Sequence, residues 1–157
     1  MTTGQVCIRE VVFIHKQASI PEAARLMREY HVGDLVVIQE KTGKRVPIGI
    51  VTDRDIVLEV IAEGVGMDDV NVGDIMSDNL VTARESASLL ETIKVMRAKG
   101  IRRLPVVNDD NELVGILSVD DLIDLFSEQI VDLTRLVSRE QDREKAGRKQ
   151  PLRCRSY

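Results

Sequence analysis

The stretch that decides the fold is GIVTDRD at residues 49–55, and a second version of it, GILSVDD, stands at residues 115–121. Each copy has a glycine, two apolar residues, a hydroxyl residue (Thr52 or Ser118), two variable residues and an aspartate (Asp55 or Asp121). The apolar run is typical of a strand, and the residues after each aspartate have helical spacing. The pattern therefore predicts that the hydroxyl and the carboxylate lie at a strand-to-helix junction.

Two interpretations of this junction stay open for either copy taken alone. A hydroxyl and a carboxylate three residues apart project to the same side, and free backbone N–H groups lie beside them at a helix start. That arrangement suits a vicinal diol held by the carboxylate with an anion nearby. Thr, Ser and Asp are also the usual residues that cap a helix N-terminus, so the same pattern is explained by an ordinary cap.

The repeat extends far beyond the motif. At an offset of 69 residues, Met27 matches Met96 and Val37 matches Val106, and the offset falls to 66 at the motif. The difference lies between QEKTGKRVPIG and VNDDNELVG, two turn-rich segments where a hairpin accepts extra residues. An insertion confined to a turn indicates a true duplication.

Both halves have the same predicted order of elements. Ser followed by Glu three residues later, at residues 19–22 and 88–91, predicts a helix start in each half, and short β-branched runs follow each helix. Each half therefore reads strand, helix, strand, strand, helix, in an α+β fold. A unit of about 60 residues buries too little surface to be stable alone, so we expect the halves to pack on one another. The predicted domains are residues 1–64 and 75–130, with a linker at 65–74 and a helix extension and tail at 131–157.

Composition limits the functional classes. The 157 residues are 43% hydrophobic, enough for a sizeable core, and no window approaches eighteen consecutive apolar residues. Because the first residues also lack the apolar run of a signal peptide, we expect a cytoplasmic protein. Cys7 and Cys154 lack metal-ligand spacing, and the sequence has no HExxH or GxSxG motif. We therefore expect no metal, no cofactor and no catalytic activity.

The C-terminal region combines an apolar stripe with a basic end. Residues 1–138 carry 15 Lys and Arg against 23 Asp and Glu, whereas residues 139–157 carry seven against three. The stripe predicts that the last helix continues to about residue 139 and either lies across the module or meets its twin in a homodimer. Beyond it, the charged tail is expected to be disordered. The stripe consists of Leu122, Phe126, Ile130, Leu133 and Val137.

The doubled motif, with its matched upstream segments, resembles a known family. Two β-α-β-β-α repeats that each end in Gly, two apolar residues, Ser or Thr, two residues and Asp are similar to a tandem pair of cystathionine-β-synthase (CBS) domains, the Bateman module. VGDIM (72–76), GIRRLPVV (100–107) and GIVTDRDI (49–56) resemble typical family segments. The resemblance covers roughly residues 6–130.

The resemblance implies a function and a set of ligand-binding residues. In similar modules the two halves pack about a pseudo-twofold axis, and two clefts bind adenosine-containing ligands such as AMP, ADP, ATP or S-adenosylmethionine. Carried onto this chain, Asp55 with Thr52 and Asp121 with Ser118 hold the ribose hydroxyls or a phosphate, and the preceding strands hold the adenine. The strand residues included are Leu104 and Pro105, and Thr82 is a further candidate beside the base.

The halves differ in their charges. Arg54 lies inside the first motif, and Arg102 and Arg103 precede the strand of the second half, where the first half has Gly33 and Asp34. If phosphates point toward the shared axis, as in similar modules, these three arginines form one cationic lining. Solvated surface charges are the alternative. Because Asp34 and Asp120 add negative charge, we expect the cleft of Asp121, Ser118, Arg102 and Arg103 to take the phosphorylated ligand.

Three functional classes follow. The first is a stand-alone regulatory module that senses an adenine nucleotide, S-adenosylmethionine or NAD and signals to an unidentified partner protein. The second is a dimeric interaction scaffold without a ligand, in which the motif residues are helix caps. The third, an enzyme or a nucleic-acid binder acting through the tail, is disfavoured because no catalytic constellation is present and two Phe and two Tyr make no stacking platform.

Overall fold

The computed structural model describes residues 1–147 and contains two three-stranded sheets of the same topology. The first sheet has the order β1 (Phe13–His15), β2 (Asp34–Lys41), β3 (Lys44–Thr52), and the second has the order β4 (Ala83–Arg84), β5 (Arg103–Val107), β6 (Leu113–Ser118). In each sheet the first strand is parallel to the middle strand and the third is antiparallel to it. Both sheets lie in one compact unit, Met1–Val119.

The helices complete the repeats. They are α1 (Thr3–Val6), α2 (Ile20–Tyr30), α3 (Asp53–Asp55), a π-helix (Ile56–Ile61), α4 (Val72–Ile75), α5 (Leu89–Lys99) and α6 (Val119–Gly147). The predicted order of strand, helix, strand, strand and helix is confirmed in both halves. The short helices α1 and α4, one before each repeat, were not predicted.

Two predicted boundaries differ from the structure. Thr82, for which the sequence predicts a place in the strand that opens the second half, stands immediately before β4. Helix α6 continues to Gly147, past the predicted end near residue 139, and the part from Asp120 onward belongs to a second unit. The end of the apolar stripe does not end the helix, because Glu, Gln, Arg and Lys are good helix formers. Disorder was expected for the whole tail from residue 139 onward, and this is wrong up to Gly147, where the chain is helical. The rest of that prediction, for residues 148–157, lies outside the described residues.

Each half places its first residues on the other half. The Thr3 N–H donates to the Ala87 carbonyl at 2.9 Å, and the Val72 N–H donates to the Ala18 carbonyl at 3.0 Å. Thr3 and Val72 are equivalent in the repeat, as are Ala18 and Ala87. Helix α1 therefore docks on the second half in the way that α4 docks on the first, as expected for two halves related by a pseudo-twofold axis.

The segments after α1 and α4 continue this exchange at the motif strands. Ile8 and Ile116 exchange two backbone hydrogen bonds of 2.9 Å, and the Ser77 N–H donates to the Ile50 carbonyl at 2.9 Å. Both acceptor strands, β6 and β3, end in the motif hydroxyl. The start of each half therefore fixes the motif strand of the other.

The interior is formed by the middle strands and the helices that cover them. β2 has buried apolar residues from Leu35 to Ile38, and β5 has them at Leu104, Val106 and Val107. Helix α2 contributes Ile20, Ala23 and Met27 to the core around the first sheet. Met27 and Met96, which match in the repeat, are both buried.

Candidate functional site

The first motif forms a closed cap at the end of β3. The Asp55 N–H donates to Thr52 Oγ1 at 3.1 Å, and Asp55 Oδ2 accepts from the Thr52 N–H at 2.7 Å and from the Thr52 hydroxyl at 2.8 Å. This is a capping box, so the cap interpretation of the first motif is realised. The hydroxyl and the carboxylate also lie together at the strand-to-helix junction, as predicted.

The cap leaves one oxygen of the Asp55 carboxylate able to accept further hydrogen bonds. Both contacts use Oδ2, and within residues 1–147 Asp55 Oδ1 has no hydrogen-bond donor. A carboxylate offers about four acceptor positions, so Oδ1 retains two of them for the hydroxyls of a diol. The cap interpretation and the ligand interpretation are therefore compatible at this aspartate.

The second motif has the same placement in the chain. Ser118 ends β6 and is buried, and Asp121 lies in the first turn of α6, which belongs to the second unit. The Val119 N–H donates to the Arg102 carbonyl at 2.8 Å, and the equivalent Asp53 N–H donates to the Gly33 carbonyl at 3.0 Å. In both halves the backbone after the motif hydroxyl is thus held by the residue that precedes the middle strand.

A cavity of about 320 Å³ lies where the two halves meet. Its volume is at the lower end of the range for small-molecule sites, roughly 300–1,000 Å³. Among the residues predicted to bind ligand it collects Thr52 from the first half and Arg102 and Arg103 from the second. The remaining lining consists of Asp34, Ile50, Ser77, Asn79, Leu80, Val81 and Ile101.

Asp34 and Arg103 form an ion pair at this cavity. Arg103 Nη1 lies 2.9 Å from Asp34 Oδ1, and the side chains are 8% and 41% exposed for the aspartate and the arginine. Asp34 lies opposite Thr52 in the first sheet, and Arg103 lies opposite Ser118 in the second. The pair therefore connects the strand positions beside the two motif hydroxyls.

Burial dominates the electrostatics of Asp34. Desolvation raises the pKa of the Asp34 carboxyl, Arg103 opposes that rise, and the nearby Asp53 adds to it. A buried carboxylate beside an arginine usually has a lowered pKa, so the remaining upward shift means that the single guanidinium does not fully offset the lost hydration. The cavity therefore contains a carboxylate whose charge is only partly compensated.

The other predicted site residues, among them Asp55, Ser118 and Asp121, are not part of the described lining of this cavity, although Asp55 is hydrogen-bonded to Thr52, which is. Arg54 is exposed and is absent from the described lining of the cavity. Leu104 and Pro105 are buried in β5. Leu104 and Thr82 line a second cavity, of about 260 Å³, beside β4 and α5. The cationic lining of three arginines that was predicted is thus reduced, in the described part of this cavity, to Arg102 and Arg103.

The sequence interpretation missed the segment from Ser77 to Val81, which forms one wall of the cavity. Its apolar pair Leu80 and Val81 matches Val11 and Val12 in the repeat, which is the signal that could have identified it. Asp34 was considered only as a nearby negative charge. Its ion pair with Arg103 could have been inferred from the equivalence of these two positions at the offset of 69 residues.

The described residues show neither a metal site nor a membrane span. Within residues 1–147, no three His, Cys, Asp or Glu side chains are grouped so that they could hold a metal ion. Over the same residues, no helix has both the length and the apolar character to cross a membrane.

Comparison with known proteins agrees with the division of the chain into two repeats. The family model described as CBS domain matches residues 4–62 and 72–128. An uncharacterized protein of Methanopyrus kandleri, MK0525, is 38% identical over 78% of this chain and 61% of its own length, so the match leaves more than a third of that relative uncovered. The CBS domain-containing protein YhcV of Bacillus subtilis is 37% identical over 72% of this chain and 76% of its own.

A solved structure in complex with ligands has the same fold. It is the CBS domain pair of protein MJ0100 in complex with 5′-methylthioadenosine and S-adenosyl-L-methionine. Its TM-score is 0.70 at 25% sequence identity, and the match covers 82% of this chain and 98% of that one. The two-repeat architecture inferred from the duplicated motif is therefore that of a known class of structure.

Proposed function

The chain belongs to the CBS domain family as a tandem pair of repeats, and from this premise we propose that it is a non-catalytic regulatory module that binds an adenosine-containing ligand between the repeats. The observation that carries the proposal is the cavity that brings Thr52 of one motif together with Arg102 and Arg103 of the other half. AMP, ADP and ATP are the leading candidate ligands, with S-adenosylmethionine and NAD as alternatives.

The composition of the cavity supports an adenosine ligand. Ile50, Leu80, Val81 and Ile101 offer an apolar wall for a base, and polar groups occupy the remainder of the lining. Mostly apolar walls with a few oriented polar groups are typical of small-molecule sites. The MJ0100 pair was solved with two ligands that share an adenosine group.

The motif aspartates provide the direct test. We expect Asp55→Asn or Asp121→Asn to weaken binding of the preferred ligand at least tenfold, because the amide lacks the negative charge that strengthens hydrogen bonds from the hydroxyls of a diol. The measurement is calorimetric titration of wild type and variants with AMP, ATP and S-adenosylmethionine. Glu59→Gln and Asp124→Asn are matched controls, since both residues are exposed on the helices that follow the motifs.

Two outcomes would contradict the proposal. If wild type gives no heat with any of the three compounds at millimolar concentration, the chain is not an adenosine sensor. If both aspartate variants bind as wild type does while their controls also do, the motif residues are helix caps only. The control variants are expected to keep the wild-type affinity within about twofold, because exposed charges at a distance contribute little.

The scaffold function receives support from the exposed face of α6. Four residues of the predicted stripe, together with Ile123, are 40–64% exposed and follow one another at spacings of three and four residues: Ile123, Phe126, Ile130, Leu133 and Val137. The fifth predicted residue, Leu122, is buried instead. This spacing is typical of the seam between two helices in a coiled coil. A second copy of the chain presents the same face, so we propose that self-association accompanies ligand binding.

A two-residue variant tests the self-association. Wild type is expected to sediment as a dimer at micromolar concentrations and Ile130→Gln/Leu133→Gln as a monomer, because amide side chains remove the apolar area that a seam buries. The measurement is sedimentation equilibrium. Glu128→Gln/Arg135→Gln changes the opposite face of the helix without changing net charge and is expected to remain dimeric. A wild type that is monomeric throughout, or a seam variant that stays dimeric, would refute this contact.

A further inference from the structure

Asp34 and Arg103 occupy the same position in the duplicated halves. Each is the first residue of the middle strand, and they are 69 residues apart, the offset of the repeat. Equivalent positions near a pseudo-twofold axis meet one another, so identical charges there would repel. In this chain the two residues have opposite charges and lie in contact at 2.9 Å.

The contact occurs inside the candidate ligand site. The charged residues of the described lining are Asp34, Arg102 and Arg103, and Asp53 acts on Asp34 from the start of α3. Arg103 has further contacts, but its guanidinium is already engaged by a carboxylate that is almost fully buried. A phosphate that approaches Arg103 therefore meets a resident anion that interacts with the same cation.

We propose that Asp34 determines the charge selectivity of the cavity, so that it favours adenosine ligands with little or no negative charge over nucleoside triphosphates. The inference rests on the proposed adenosine-binding function and specifies the ligand class. The carboxylate occupies one side of Arg103 and repels additional anions, and this repulsion grows with each phosphate charge that the ligand brings into the cavity.

The carboxylate can be neutralised with little change in shape. Asn has nearly the same size as Asp and can still accept a hydrogen bond from Arg103. Because burial raises the pKa of Asp34, the folded protein disfavours the charged form of this side chain relative to solvent. When the pKa of a carboxyl is higher in the folded state than in the unfolded state, its ionisation makes the folded protein relatively less stable above the folded-state pKa. The neutral Asn side chain avoids that cost, so Asp34→Asn is expected to keep the wild-type melting temperature at neutral pH.

The test compares adenosine, AMP and ATP in calorimetric titrations of wild type and Asp34→Asn, with EDTA present to remove divalent cations. Wild type is expected to bind adenosine or AMP more tightly than ATP. In Asp34→Asn the affinity for ATP relative to adenosine is expected to rise about tenfold or more, the size of change that loss of one nearby unit charge produces in a partly buried site.

Three further variants isolate the cause. Asp53→Asn removes the same unit of charge from an exposed neighbour outside the described lining and is expected to change the ratio by less than about threefold, because solvent screens it. In the double variant Asp34→Asn/Arg103→Gln the rise in ATP affinity relative to adenosine is expected to disappear, because Arg103 is the cation that Asp34 pairs with in the wild type. Asp34→Ser, measured beside Asp34→Asn, gives the same comparison with a different side chain.

The possible results distinguish charge selectivity by Asp34 from the proposed adenosine-binding function. If both proteins bind adenosine but the ratio of ATP to adenosine affinity is the same, Asp34 does not select by charge, and the sensor function stands. If wild type binds none of the three ligands, both proposals fall. If Asp34→Asn lowers ATP affinity when Mg²⁺ is supplied, Asp34 binds a cation that accompanies the phosphates, and the selectivity proposed here is wrong.

Discussion

Replacement of Leu104 by alanine is expected to lower the free energy of unfolding by about 2–5 kcal/mol, the usual cost of removing a leucine side chain from a packed interior. Leu104 is 0% exposed and pairs with Leu117, also 0% exposed, in the middle of the second sheet. The remaining side chains can relax only in part, so a cavity is left. Urea denaturation followed by circular dichroism measures the change.

The expected cost depends on the burial of Leu104. Leu90→Ala on α5 removes the same atoms from a side chain that is 64% exposed and is expected to cost less than about 0.5 kcal/mol. Leu104 was also predicted from the sequence to contact ligand, and it lines the second cavity. A Leu104→Ala protein that loses ligand affinity while it keeps wild-type stability would show that the side chain serves binding rather than the core.

Gly115→Ala is expected to destabilise the fold by about 1–3 kcal/mol because it overpacks the contact between the halves. A Cβ at this position would lie 2.5 Å from Cys7 Sγ and 3.0 Å from the Ile8 carbonyl oxygen. The sulfur can rotate away, but the carbonyl belongs to the backbone pair that joins Ile8 to Ile116. The change is again measured by urea denaturation.

The contact with Cys7 allows a double-mutant cycle. In a Cys7→Ala background the cost of Gly115→Ala is expected to fall, because the sulfur nearest to the new Cβ is gone. Gly33→Ala serves as the matched glycine control, since its Cβ would have no neighbour closer than 3.4 Å. If Gly115→Ala costs no more than Gly33→Ala, the glycine that opens the second motif is not required by close packing between the halves.

Much of the fold could be predicted from the sequence, because duplication supplies two independent readings of each element. The strand before Thr52 and the helix after Asp55 each have an equivalent in the second half, and the difference in length falls in a turn. Helical spacing, Ser–Glu pairs at helix starts and β-branched runs therefore predict the same order of elements in both halves. Such agreement between independent sequence signals is strong evidence for a fold.

The contacts between the halves could not be read from local patterns. The four-residue helices α1 and α4 are too short for helical periodicity to be visible. The π-helix at Ile56–Ile61 has wider turns than an α-helix, but over six residues the spacing of its apolar residues cannot be distinguished from that of an α-helix. Arg54 was included for its position in the motif, but only the three-dimensional path of α3 shows that its side chain is exposed.

The exchange of α1 and α4 has an implication for the origin of the chain. A single repeat has no second repeat on which its opening helix can dock, so an ancestor of half this length needed two molecules that traded those helices. Fusion of the two copies turned that association into an intramolecular one, where the tether supplies a millimolar effective concentration of each partner. Once the copies were tethered, equivalent positions could diverge separately, and an opposite-charge pair such as Asp34 and Arg103 could arise where a symmetric dimer would have placed two like charges.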